Sequence, residues 1–212
     1  MKTEKIENTE NNGNEEYSLN DLINMAIEFH GFPVPGAVIG VFMADWALEL
    51  LKDVPKVDAI IETWLCLPSG VHTVLRYRRN KTQFRVVDFH KCAATFYDKK
   101  TGEGIRFWLD TEKTKDFPNI HGWYLRTLDH DLGKGERWAP VTEEFLLARR
   151  RVLSYEYVKI VVPKATLSTP VVACKECNEL FLSVEGQVKC EACSGKAYYK
   201  RLKEEEFSLL EK

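Results

Sequence analysis

The chain has 212 residues, 44% hydrophobic and 11% aromatic, which is too rich for a disordered protein and fits one main domain plus a small appendage. A formal net charge of -2 gives no global attraction to nucleic acid or to an anionic membrane surface. The longest apolar run, Ala37 to Ala44, is too short to span a bilayer, and no signal-peptide h-region follows Met1, so a soluble cytoplasmic protein is expected.

Residues 1–17 are polar, Glu- and Asn-rich and without periodicity, and predict a disordered leader. Ser18-x-x-Asp21 has the form of a capping box, and Leu22, Met25, Ala26 and Phe29 follow at helical spacing. Gly31 and Pro33 end that helix. After Pro35-Gly36 a second helix is expected, with Ile39, Phe42, Met43, Trp46, Ala47 and Leu50 as one apolar stripe. A strand over Val57–Cys66 precedes a helix from Pro68 to about Arg78.

Strands are then expected at Gln83–Phe89, Ala93–Asp98 and Gly104–Asp110, the last two joined as a hairpin. Residues 111–139 read as an irregular but packed stretch, since they carry Trp123, Tyr124 and Trp138. Pro140 is expected to open a helix to about Leu153, and Tyr155–Val162 a final strand. Pro163 to Pro170 reads as a linker. The pattern predicts an α+β core, two leading helices followed by a mostly antiparallel sheet. The expected divisions are a leader over 1–17, a core over 18–165 and a small C-terminal module over 166–212.

Cys174-x-x-Cys177 and Cys190-x-x-Cys193, with twelve residues between the pairs, predict a four-thiolate zinc site. Each CxxC turn aims two sulfurs at one point, and a module this small needs the metal to fold. One structural zinc per chain is therefore expected. Leu180, Phe181 and Leu182 suggest a small hairpin, and Ala197 to Leu210 a helix, as in a treble clef or zinc ribbon. A redox dithiol is the competing reading. From Cys174 onward seven Lys/Arg face eight Asp/Glu, so nucleic-acid binding is not expected of this module.

Three further residues have ligand chemistry at element ends: His30 in the turn between the first two helices, Cys66 at a strand end, and His72 in the helix that follows. His90 and Cys92 are weaker members of the same set. Against this stand a satisfied polar histidine and small buried cysteines. Lys91 reads equally as an anion or cofactor contact and as a surface charge. The run Arg76, Arg78, Arg79, Lys81 and Arg85 reads as a solvated helix end and strand face, and Arg149-Arg150-Arg151 as a complement to a helix dipole.

The run Phe29-His30-Gly31…Pro35-Gly36…Gly40…Met43 resembles the opening signature of the formylmethanofuran dehydrogenase E-subunit (FmdE) family. Glu62…Cys66 and the stretch Asp88…Lys91…Ala93…Phe96 are similar to its later blocks, over roughly residues 18–165. The resemblance implies a distinctive α+β core of unsettled biochemical role, named from an operon for a molybdenum or tungsten enzyme, with a C-terminal four-cysteine zinc finger in some members. His30, Cys66 and Lys91 keep both the residue and the site of the family pattern. Phe32 and Val34 stand where that pattern has a His and a Cys, and Ser69 and His72 where it has an Asp and a Gln.

Two functions follow. In one, His30, Cys66 and His72 hold a second zinc with a position open to water or substrate, and the protein handles a cofactor or catalyses a reaction; no general base stands out. In the other, the core binds a small molecule or a protein without catalysis, and the finger docks on the core of a second copy in a homodimer. A nucleic-acid-binding regulator is the third and least supported. The residues leave open whether the protein is an enzyme.

Overall fold

A computed structural model describes residues 17–80, 84–128, 133–161, 168–197 and 199. The leader up to residue 16, Lys81 and Gln83, most of the expected linker and nearly all of the expected C-terminal helix lie outside the described residues. The chain divides into two compact units, Met1–Ile160 and Val161–Lys212.

Helix α1 (Leu19–Glu28) starts where the capping box predicted. The Asp21 amide donates to Ser18 Oγ at 3.2 Å, and the Ser18 amide donates to Asp21 Oδ2 at 2.8 Å. Leu22, Ile23 and Ala26 are buried, but Phe29 is 79% exposed. The helix ends one residue before Phe29, and Gly31, at φ +71, turns the chain away. Phe29 therefore leaves the stripe that spacing alone assigned to it.

Helix α2 (Pro35–Leu50) is buried on every side from Pro35 to Ala44. A helix apolar all round belongs at the centre of a core, and α2 packs against α1, α3 (Leu67–Arg79) and α6 (Lys134–Ala148). The single stripe expected of it is thus too narrow a description. Contact with α3 is close because glycine faces glycine: a Cβ on Gly40 would lie 3.3 Å from Gly70 Cα.

The sheet has the order β2-β1-β3-β4-β5. β1 (Val57–Ile61) pairs in parallel with β2 (Arg85–Val86) through α3, a βαβ crossover. The other pairings are antiparallel: β1 with β3 (Ala93–Asp98), β3 with β4 (Glu103–Leu109), and β4 with β5 (Leu153–Lys159). Alternation sends Ala59, Ile61, Ala94, Phe96, Ile105, Phe107 and Leu109 into one cluster with the helices. On the other face Arg106 donates to Glu62 from Nε (2.6 Å) and Nη2 (2.9 Å), and to Glu156 from Nη1 (3.1 Å). The bidentate pair with Glu62 ties β4 to the end of β1 across β3, and the bond to Glu156 ties β4 to β5.

Between β4 and β5 the expected irregular stretch is largely helical: α4 (Thr111–Thr114), α5 (Pro118–Tyr124) and the start of α6. Elements of four and seven residues are too short to show a period. Asp110 caps α4, its carboxylate accepting from the Glu112 and Lys113 amides. Pro140 lies inside α6 rather than opening it. The carbonyl it leaves unpaired belongs to Glu136, an exposed residue where water can serve it, so the helix tolerates the proline. A 3-10 turn, Arg149–Val152, then leads into β5. Within it Arg151 bonds the Ala148 and Leu147 carbonyls, as a dipole complement would. Arg150 instead pairs with Asp45 (2.8 Å) and Glu49 (2.7 Å) on α2.

In the second unit β6 (Val171–Ala173) pairs antiparallel with β7 (Leu180–Leu182). Leu180 and Leu182 are exposed, and among the described residues of this unit only Cys174 and Ser183 are buried. So little apolar burial cannot offset the entropy of ordering the chain.

Candidate functional site

The C-terminal unit carries the first site. Cys174 follows β6, and its turn closes with the Asn178 amide donating to the Cys174 carbonyl at 2.9 Å while Asn178 adopts φ +62. The second turn mirrors it: the Ser194 amide donates to the Cys190 carbonyl at 3.0 Å, and Gly195 sits at φ +90. The two turns bring Cys174, Cys177, Cys190 and Cys193 together with all four sulfurs within 4.8 Å of one another. Cys177 and Cys190 are 3.9 Å apart. A tetrahedron with Zn–S bonds of about 2.3 Å has edges of about 3.8 Å, so the spacing fits one tetrahedral ion. Lys189 and Glu176, 2.7 Å apart, link the two turns.

The sulfurs differ in acidity. Amides of Cys177, Cys190 and Glu176 donate to Cys174 and pull its thiol down to about 6. Burial, with the neighbouring sulfurs, pushes Cys193 up to about 12. Four thiols this close cannot all ionise without a cation among them, and a bound divalent metal removes that conflict. The donor set fits a soft or borderline metal ion.

The core carries a second feature, a cavity of about 490 Å³. Its wall includes the starts of α2 and α3, the β1–α3 connection, the segment 90–92 before β3, and residues of α5 and α6. Cys66, Lys91, His90 and Cys92 all line it. His30 and His72 do not. His30 Nε2 lies 2.8 Å from Ser69 Oγ, and Ser69 donates its one proton to the Cys66 carbonyl at 2.7 Å. Ser69 must therefore accept from His30, which leaves Nε2 without a lone pair for a metal. His72, further along α3, packs its ring near Phe84 with centroids 6.2 Å apart.

His30, Cys66 and His72 are thus not brought together. Among the described residues the four C-terminal cysteines form the only group of three or more His, Cys, Asp or Glu with donor atoms within 4.8 Å of one another. His90, at φ +57, holds its Nδ1 3.2 Å from Asp88 and is largely exposed. The aromatic and basic part of the wall, with Trp123, Tyr124, Arg126, Arg137 and Trp138, comes from the stretch between β4 and the middle of α6. The aromatics of that stretch signal packing, but nothing in their spacing marks a cavity, and Arg126 and Arg137 carry no signal along the chain.

Burial pushes the Cys92 thiol up to about 12. Against an ordinary cysteine near 9 it holds on the order of a thousandfold less thiolate at neutral pH. Cys92 is accordingly expected to resist iodoacetamide at pH 8 when labelling is followed by mass spectrometry. Labelling as fast as free cysteine would show that the wall does not suppress ionisation.

The family described as FmdE, molybdenum formylmethanofuran dehydrogenase operon, matches residues 29–156. The chain belongs to the FmdE family. A solved structure agrees: a tungsten formylmethanofuran dehydrogenase FmdE-like protein from Syntrophus aciditrophicus is 31% identical to this chain, with a TM-score of 0.63. The match covers 87% of this chain and 96% of the other. No curated protein matches the chain. The FmdE match takes in α2, α3, the segment 90–92 and every residue that lines the cavity, while the four-cysteine group lies beyond it. Among the described residues no helix is long and apolar enough to cross a membrane.

Proposed function

We propose that this FmdE-family chain is a zinc-stabilised binding protein. Its four C-terminal cysteines hold one structural zinc, and its core takes a small molecule or partner without catalysis of its own. The core cavity carries the reading: its wall includes Cys66 and Lys91, two positions where the family resemblance keeps both residue and site. The chemistry around it favours binding over reaction. Burial pushes the Cys92 thiol up, away from the thiolate that a nucleophile needs, and His30 does not line the cavity.

Zinc per chain tests this reading on the intact protein and on the His30→Ala and Cys66→Ser variants. One zinc in all three is the expected result. Two zincs, with one lost in either variant, would move the core to the second reading, a catalytic or cofactor-handling metal site. A cytoplasmic homodimer belongs to the same proposal, and light scattering that gives a strict monomer at high micromolar concentration would overturn the dimer.

A further inference from the structure

We propose that the core cavity binds an organic anion carrying a flat ring, a phosphate or carboxylate on an aromatic group. The inference rests on the ligand-binding reading of the core and names the class of ligand. Charge is the first observation. Lys91, Arg126 and Arg137 line the cavity, and among its described lining residues there is no carboxylate. The chain as a whole has 32 Asp and Glu against 30 Lys and Arg, so this wall departs from the composition of the protein.

The second observation is the backbone. The first turn of α2, at Pro35 and Gly36, and that of α3, at Cys66 and Leu67, both face the cavity. These helices are 16 and 13 residues long, and neither has a side-chain cap at its start. They meet closely: a Cβ on Gly36 would lie 3.1 Å from Cys66 Cβ. Two positive helix ends at one wall add to the cationic side chains and favour an anion there.

The third is shape. Trp123, Tyr124 and Trp138 supply flat apolar surface, and the volume falls in the range of about 300–1,000 Å³ usual for small-molecule sites. The Arg137 guanidinium lies 5.9 Å from the Trp138 ring centroid, so charge and ring surface adjoin. A ligand with a ring at one end and an anionic group at the other satisfies both parts of the wall, whereas a bare inorganic anion satisfies one.

Calorimetric titration of the full-length protein at low ionic strength tests this with 1-naphthyl phosphate, 1-naphthoate, 1-naphthol and inorganic phosphate. One saturable site for the naphthyl anions is expected, with the phosphate arm tighter if the site is built for a dianion and the carboxylate arm tighter if for a monoanion. Naphthol and inorganic phosphate should each bind at least tenfold more weakly. Lys91→Gln/Arg126→Gln should weaken the better anion at least tenfold with the melting temperature unchanged, and Trp138→Leu should weaken it as well. Naphthol binding as tightly as the anions, or an unchanged double variant, would overturn the anion while leaving a ligand-binding core in place. Absence of saturable binding by all four probes would overturn the proposal, and zinc stoichiometry would still decide the metal part of the broader reading.

Discussion

Replacing Cys190 with serine is expected to abolish retention of the proposed zinc and leave the C-terminal unit unfolded. Structural zinc contributes about 10–16 kcal/mol of binding free energy in finger-sized modules at neutral pH. The unit has little else to stabilise it, since Leu180 and Leu182 are exposed and the sheet is a pair of three-residue strands. Serine removes one of the four sulfur ligands and leaves the backbone turn at Cys190–Ser194 with its bonds intact, so the loss falls on the metal. Zinc released on a colorimetric chelator, and rapid proteolytic loss of the chain beyond the core, would register the effect. A Cys190→Ser protein that keeps its zinc and its protease resistance would show that three sulfurs suffice, or that the unit is held by something other than metal.

Gly70→Ala is expected to produce the largest loss of stability in the core. The added methyl would press on the Ala37 carbonyl oxygen, with the Val41 amide nitrogen 2.8 Å away. Both belong to the backbone of α2, which is buried on all sides at that level and has no free direction to move. Overpacking costs about 1–3 kcal/mol where side chains can adjust, and this contact falls on backbone, so a loss of about 3 kcal/mol or more is expected. For a domain of this size that lowers the melting temperature by roughly 6–12 °C. Gly135→Ala is the control of opposite sign. It lies exposed in the first turn of α6 with nothing within 4 Å of an added Cβ, and should stabilise by about 0.5 kcal/mol. Equal melting temperatures for the Gly70→Ala protein and the parent would mean that α2 and α3 can separate freely.

What could be read from the sequence was what neighbouring residues decide together. The Ser18–Asp21 box, the hairpin of β3 and β4, and the paired CxxC turns each lie within a few residues, and each has a chemical reason at that spacing. The family resemblance at His30–Met43 added the core fold, which periodicity alone did not supply. Misreadings arose where local signals point the wrong way. Pro140 looks like a helix start because proline is welcome there, yet an exposed carbonyl lets it sit inside α6. Phe29 keeps helical spacing but falls past the last turn. Of the described part of the strand expected over Gln83–Phe89, only Arg85 and Val86 pair in register with β1, while Val87 and Phe89 reach the Ile61 and Glu62 carbonyls by single amide bonds as the chain leaves the sheet. The cavity was hidden for a different reason. Cys66 and Arg126 are sixty residues apart in sequence, and no pattern along the chain records that they share a wall.

The two ends of the sheet are unequal, and that bears on how each edge resists pairing with a foreign strand. On one side β2 offers two residues, too few to template a foreign strand. On the other, β5 is the outermost of the described strands and runs for seven residues, with Tyr155 and Tyr157 exposed. Its guard is electrostatic: Glu156 and Lys159 stand exposed along it, each joined to β4, at Arg106 and Glu103. A strand approaching β5 must accommodate both charges, so the long edge is protected by what it carries and the short one by what it lacks.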